Sequence, residues 1–108
     1  MAMQTFNITR EMYVAMATEI YEWLDTDKNR QEATSTLELG NAVVELTASL
    51  YIHWRKERDY DYTRNILEDC QPLWWEIHTW VEDKDGDLVE VNNNGSFNEI
   101  QQLLLTVD

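Results

Sequence analysis

The chain is short of the residues that break or staple a fold: it has one proline, one cysteine and three glycines. A lone cysteine, Cys70, excludes an internal disulfide and suits a reducing compartment. So few glycines leave no phosphate-cradling loop. The sequence also contains no GxSxG, HExxH or CxxC, so the common nucleophile, nucleotide and zinc signatures are excluded. No apolar run approaches the roughly 18 residues of a membrane helix. The opening Met1-Ala2-Met3-Gln4-Thr5 lacks a basic segment followed by an apolar one. Neither a membrane partner nor a signal peptide is therefore expected, and a cytoplasmic setting is. Positive charge is the scarcest of all, with 8 basic residues against 21 acidic ones and a net charge of −13. That field repels nucleic acid and anionic lipid, whose binding rests on Lys and Arg, and it attracts basic proteins.

What is present argues for a folded chain. Hydrophobic residues make up 44% of the 108, with five Trp, five Tyr and two Phe among them. A disordered acidic chain would be poor in aromatics. The length fits one domain spanning 1–108.

Periodicity then places the elements. Thr9 can cap a helix to about Asp25, whose face is Tyr13, Met16, Ala17, Ile20, Trp23 and Leu24. Polar residues from Asp25 to Gln31 read as a loop. Ala33, Ser35, Leu37 and Leu39 alternate with polar neighbours, and Gly40-Asn41 is a two-residue hairpin signal. That turn sets Leu37 opposite Val44, and the next strand continues Val44, Leu46, Ala48, Leu50, Ile52 and Trp54 on the same face. The segment 56–71 reads as a return strand, with a short helix through Tyr62, Ile66 and Cys70 as the alternative. Pro72 opens a strand with Leu73, Trp75, Ile77, Thr79 and Val81 on one face and Trp74, Glu76, His78 and Trp80 on the other. Lys84-Asp85-Gly86 is a three-residue turn that sets Val81 opposite Val89 and Thr79 opposite Val91. Ser96-Phe97-Asn98-Glu99 has the form of a capping box ahead of a helix presenting Phe97, Ile100, Leu103, Leu104 and Val107.

The expected fold is α+β: an N-terminal helix, an antiparallel β-meander of four to five strands and a C-terminal helix, with both helices on one sheet face. The opposite face would be open or covered by a partner.

No residue pattern points to catalysis, to a cofactor or to a metal. Asp83, Asp85 and Asp87 flank Gly86, but an EF-hand loop counted from that glycine starts at Val81 and ends at Asn92, so it fails. Cys70 reads as a small buried hydrophobe. The basic run Arg55-Lys56-Glu57-Arg58 is diluted by Glu57, Asp59 and Asp61 and reads as a solvated strand end. The candidate interaction surface is the open face: Trp74, Glu76, His78 and Trp80, joined by Tyr51 and His53 from the preceding strand and by Asp83, Asp85 and Asp87. Tryptophans on an uncovered face mark a contact surface.

Two functions follow from this. The first is a non-catalytic acidic protein-interaction domain that binds a basic partner or self-associates into a homo-oligomer. One version of it is a nucleic-acid mimic of the kind phages deploy, with carboxylates 83, 85 and 87 spaced along a strand like phosphates. Another is a chaperone for a basic client. The alternative is a small enzyme or ligand-binding domain in which His53, His78, Glu76 and Tyr51 converge.

Overall fold

The structure is a computed structural model that describes residues 5–106. Among the described residues it is an α+β fold of five strands and two helices, with the second helix the last of these elements. A two-residue strand β1 (Thr5–Phe6) precedes helix α1 (Arg10–Trp23). Then come β2 (Arg30–Glu38), β3 (Ala42–Arg58), β4 (Thr63–Glu82), β5 (Leu88–Asn93) and α2 (Phe97–Thr106). The sheet order is β1-β5-β4-β3-β2, and β1 runs parallel to β5. The expected meander is present as β2 to β5. The parallel strand at its edge was not expected, because two residues carry no readable alternation.

Local chemistry accounts for most of these bounds. Thr9 caps α1 by accepting from the Met12 amide at 3.3 Å. The helix buries Tyr13, Met16, Ala17 and Ile20, while Trp23, its final residue, lies 80% exposed rather than on the apolar face. Gly40, at φ 78°, takes the left-handed conformation that the two-residue turn demands, and Gly86, at φ 85°, does the same in the second hairpin. Both hairpins take the registers that alternation requires. Leu37 faces Val44, Val81 faces Val89 and Thr79 faces Val91.

One core lies between the sheet and the helices. It takes Met16, Ala17 and Ile20 from α1 and Val44, Leu46, Ala48, Leu50 and Ile52 from β3. Leu67 and Cys70 join from β4, and Phe97, Ile100 and Leu104 from α2. Both helices therefore cover the same side of the sheet. The two are tied together at α2's start, where the Ser96 amide donates to the Tyr13 hydroxyl at 3.0 Å. Ser96 Oγ accepts from the Asn98 amide at 3.3 Å. The return half of the expected capping box, from Glu99 to the Ser96 amide, is thus supplied by Tyr13. Val107 lies outside the described residues.

Of the 56–71 segment, 56–58 end β3, 59–62 form the turn, and 63–71 run on through Pro72 as one strand. β4 pairs with β3 along its whole length, with register shifts at His53/Trp54 and at Ser49/Leu50. Each shift inserts an extra residue into β4 and reverses its inside–outside alternation. The residues of β4 paired with core positions of β3 are therefore Leu67, Cys70, Pro72, Trp75, Ile77 and Thr79, with steps of three at each bulge. Leu73, expected in the core, is the extra residue at the second bulge and is 49% exposed. Trp75 keeps its place on the helix side opposite Ala48, yet it is 40% exposed, in a stretch of β4 that β5 does not pair with.

Past the end of β2 the β3–β4 hairpin continues alone, and the molecule measures 60 × 24 × 19 Å. This arm carries four of the chain's eight basic residues, Arg55, Lys56, Arg58 and Arg64. Tyr60 and Tyr62 are exposed at its tip. Glu57 sits 3.7 Å from Arg55 and 3.2 Å from Arg64, which is the acid-paired strand end that the sequence suggests. The base of the arm is braced by the loop before β2: Trp54 Nε1 donates to the Lys28 carbonyl at 2.9 Å, and Asn29 Nδ2 donates to the Ile52 carbonyl at 3.0 Å.

Candidate functional site

Because both helices lie on one side, the other side of the sheet carries no helix, and its surface follows from the strand registers. β3 contributes Val43, Glu45, Thr47, Ser49, Tyr51 and His53. Opposite them on β4 stand Trp80, His78, Glu76, Trp74, Gln71 and Asp69 respectively. β2 adds Arg30, Glu32, Thr34, Thr36 and Glu38, and β5 adds Glu90 across from Trp80. Trp74, Glu76, His78, Trp80, Tyr51 and His53 therefore share this face, as expected.

Its centre is His78. The ring accepts or donates at both nitrogens, with Nε2 3.0 Å from Glu76 Oε2 and Nδ1 2.9 Å from Glu90 Oε2. The hydrogen bonds to Glu76 and then Glu90 raise the imidazole pKa above its ordinary value, and the attraction of the two carboxylates adds to this. The ring also stacks on Trp80, with centroids 5.9 Å apart and planes 27° from parallel. A protonated imidazole over an indole adds a cation–π attraction. This cluster pins Trp80, which is partly buried, while Trp74 is 48% exposed and Tyr51 49%.

His53 and His78 do not converge. His78 stands opposite Glu45, and His53 lies eight residues further along β3. At about 3.4 Å per residue that is about 27 Å. His53 instead pairs with Glu68, the extra residue of the first bulge, at 3.2 Å. Three clefts of about 300, 320 and 260 Å³ are lined by residues other than either histidine.

Asp83, Asp85 and Asp87 are not a row on a strand. They form the turn between β4 and β5. Asp83 Oδ1 accepts from the Asp85 amide at 2.8 Å and from the Asp87 amide at 3.0 Å. One carboxylate is thus used to build the turn, and the even spacing that would imitate phosphates is not formed. Among the described residues no group of three His, Cys, Asp or Glu is placed to hold a metal ion. Cys70 is buried, and burial first and Asp69 second push its thiol up to about 11. A thiol so protonated is a poor nucleophile. No described helix is long and apolar enough to cross a membrane.

Sequence reasoning missed Glu90 as the second partner of His78. The signal was available, since the register that pairs Val81 with Val89 also pairs Trp80 with Glu90, diagonal to His78. It missed the separation of the basic arm from the acidic body, because that depends on how far β3 and β4 outrun β2. Compared with known proteins, the chain matches no family model, no curated protein and no solved structure.

Proposed function

We propose that this chain is a non-catalytic, cytoplasmic protein-interaction domain that takes a basic protein segment on its open sheet face. The observation that carries the reading is the pairing on that face of uncovered aromatics with a charge that is mostly negative on the body of the sheet. Trp74 and Tyr51 are each about half exposed there. Glu32, Glu38, Glu45, Glu76 and Glu90 surround them, against Arg30, His78 beside two of those acids and His53 beside Glu68, while Arg55 and Arg64 follow on the same parity in the arm beside Glu57. Exposed aromatics at the centre of a patch supply binding energy, and a ring of carboxylates selects and steers a cationic partner. The same acids make two open faces repel each other, which favours a basic partner over face-to-face self-association.

The enzyme alternative rested on His53 and His78 converging, and the strand register sets them about 27 Å apart.

The test is affinity capture from the native host followed by reconstitution. Captured proteins are identified by mass spectrometry, purified, and titrated against wild type, Glu45→Lys and Glu76→Lys. The reading expects a partner with a basic surface, whose Kd rises about tenfold or more in each variant and also rises with salt. Partners that bind the charge-reversed variants as tightly as wild type, or the absence of any partner that survives purification, would refute it.

A further inference from the structure

The sheet has two edges, and they are treated very differently. On one side β1 adds two described residues, β5 covers only Thr79–Glu82 of β4, and the rest of that long strand's outer edge is interrupted by two bulges and by Pro72, which has no amide to donate. At the other, β2 runs for nine residues without proline or a bulge, its charged residues are Arg30, Glu32 and Glu38, and its register with β3 is unbroken. Edge strands are normally blunted by such devices because their free amides and carbonyls invite another strand.

Which groups are free can be read from the hairpin. The Leu39 amide donates to the Ala42 carbonyl at 2.8 Å, so Leu39 and Ala42 form a hydrogen-bonded pair. The antiparallel ladder alternates from there. Leu37, Ser35, Ala33 and Gln31 turn their backbone groups inward to β3. Glu38, Thr36, Thr34, Glu32 and Arg30 turn theirs outward, and all five are exposed. The buried side chains of Ala33 and Ser35 belong to residues of the other parity.

We propose that β2 is a dimerisation edge that pairs antiparallel with β2 of a second copy about a two-fold axis at Thr34. This goes beyond the open-face reading and does not depend on it. A two-fold at Thr34 sets Thr34 against its own copy, Glu32 against Thr36 and Arg30 against Glu38. It is the one antiparallel register that pairs all nine residues. It is also the register that places the strand's sole basic residue across from an acid, at both ends of the ladder. Opposite charges directly across an antiparallel ladder stabilise it, and like charges destabilise it. The pairing joins the two sheets into one and leaves both open faces on the same side. The net charge of −13 on each copy opposes the contact at long range. At physiological salt that repulsion is screened within about 8 Å, whereas the opposed side chains lie closer than this.

Sedimentation equilibrium on five variants and wild type tests the proposal. Wild type is expected to dimerise with a Kd below about 1 mM. Arg30→Glu sets two carboxylates face to face at each end, Glu38→Arg sets two guanidiniums, and each is expected to weaken the dimer about tenfold. The double exchange R30E/E38R restores the opposed charges with the strand's net charge unchanged, and is expected to return the Kd to within about threefold of wild type. Thr34→Pro removes an outward amide that makes no bond within the chain, so it is expected to yield a folded monomer. Should Thr34→Pro fail to fold by circular dichroism, the charge exchange decides. A wild type that stays monomeric at about 1 mM overturns the proposal. So does a Glu38→Arg variant that associates more tightly than wild type, which would mean that net charge alone controls association. Loss of the dimer in Trp74→Ala would place the contact on the open face and overturn it as well.

Discussion

Replacing Tyr13 by Phe removes one oxygen from the middle of the molecule. Tyr13 is almost fully buried in α1, and its hydroxyl is the acceptor for the Ser96 amide that opens α2, at 3.0 Å. The ring, which supplies the packing, is unchanged in Phe. The loss is therefore one hydrogen bond plus a partly buried amide left without an acceptor. A net hydrogen bond contributes about 1 kcal/mol, and an unsatisfied donor adds up to about 1 more where water cannot reach it. We expect a loss of about 1–2 kcal/mol, or several degrees in Tm for a domain of this size. Urea unfolding should show the midpoint falling with the m-value unchanged. The informative comparison is Glu99→Ala. If the sequence motif were realised as a capping box, Glu99 would serve the Ser96 amide, and its removal would cost as much as a lost cap. Since Tyr13 takes that role, Glu99→Ala should cost under about 0.5 kcal/mol, the worth of a carboxylate in a first helical turn. A Tyr13→Phe variant as stable as wild type, or a Glu99→Ala variant less stable than Tyr13→Phe, would refute the assignment.

Three further outcomes are expected. An NMR titration should place the His78 pKa above the ordinary histidine value, and Glu76→Gln and Glu90→Gln should each lower it. Because the folded value is the higher one, the stabilisation from His78 is fully present below the unfolded value and fades as pH rises through the folded one. A rise in stability over that window would contradict the cluster. Trp75→Ala should cost about 2 kcal/mol, well short of the 3–5 expected for Phe97→Ala, since Trp75 is 40% exposed and Phe97 only 1%. Equal losses in denaturant melts would show that the indole is packed more fully than this. Cys70, buried and with its thiol held near 11, should resist a thiol reagent at neutral pH until the protein unfolds. Rapid labelling of the native protein would contradict its place in the core.

How much of this was legible in the sequence depended on whether two local signals agreed. In the β2–β3 and β4–β5 hairpins, a glycine turn and a two-residue alternation each specify a register, and they specify the same one, so Leu37 opposite Val44 and Val81 opposite Val89 could be read directly. Along β4 the alternation itself is broken. The two bulges make buried neighbours three apart, at Leu67 and Cys70 and again at Pro72 and Trp75, so no single period fits the strand. Its first half therefore looked ambiguous, and Leu73 looked buried. The Tyr13–Ser96 bond joins residues 83 apart and has no local trace. Sharing of the open face by Trp74, Glu76, His78 and Trp80 was legible because it needs only strand alternation after the last bulge. The expected meeting of His53 with His78 failed because parity fixes which face a residue takes and says nothing about its distance along the strand.

The central claim is that the open face, and not the sheet as a whole, binds a basic partner. Trp74 and Trp75 offer a matched test, being adjacent, similarly exposed at 48% and 40%, and on opposite sides of the sheet. The measurement is the Kd of the reconstituted partner for Trp74→Ala and for Trp75→Ala, each corrected for the fraction folded. The account predicts a loss of about tenfold or more for Trp74→Ala and less than about twofold for Trp75→Ala. Equal losses, or a larger loss for Trp75→Ala, would contradict it.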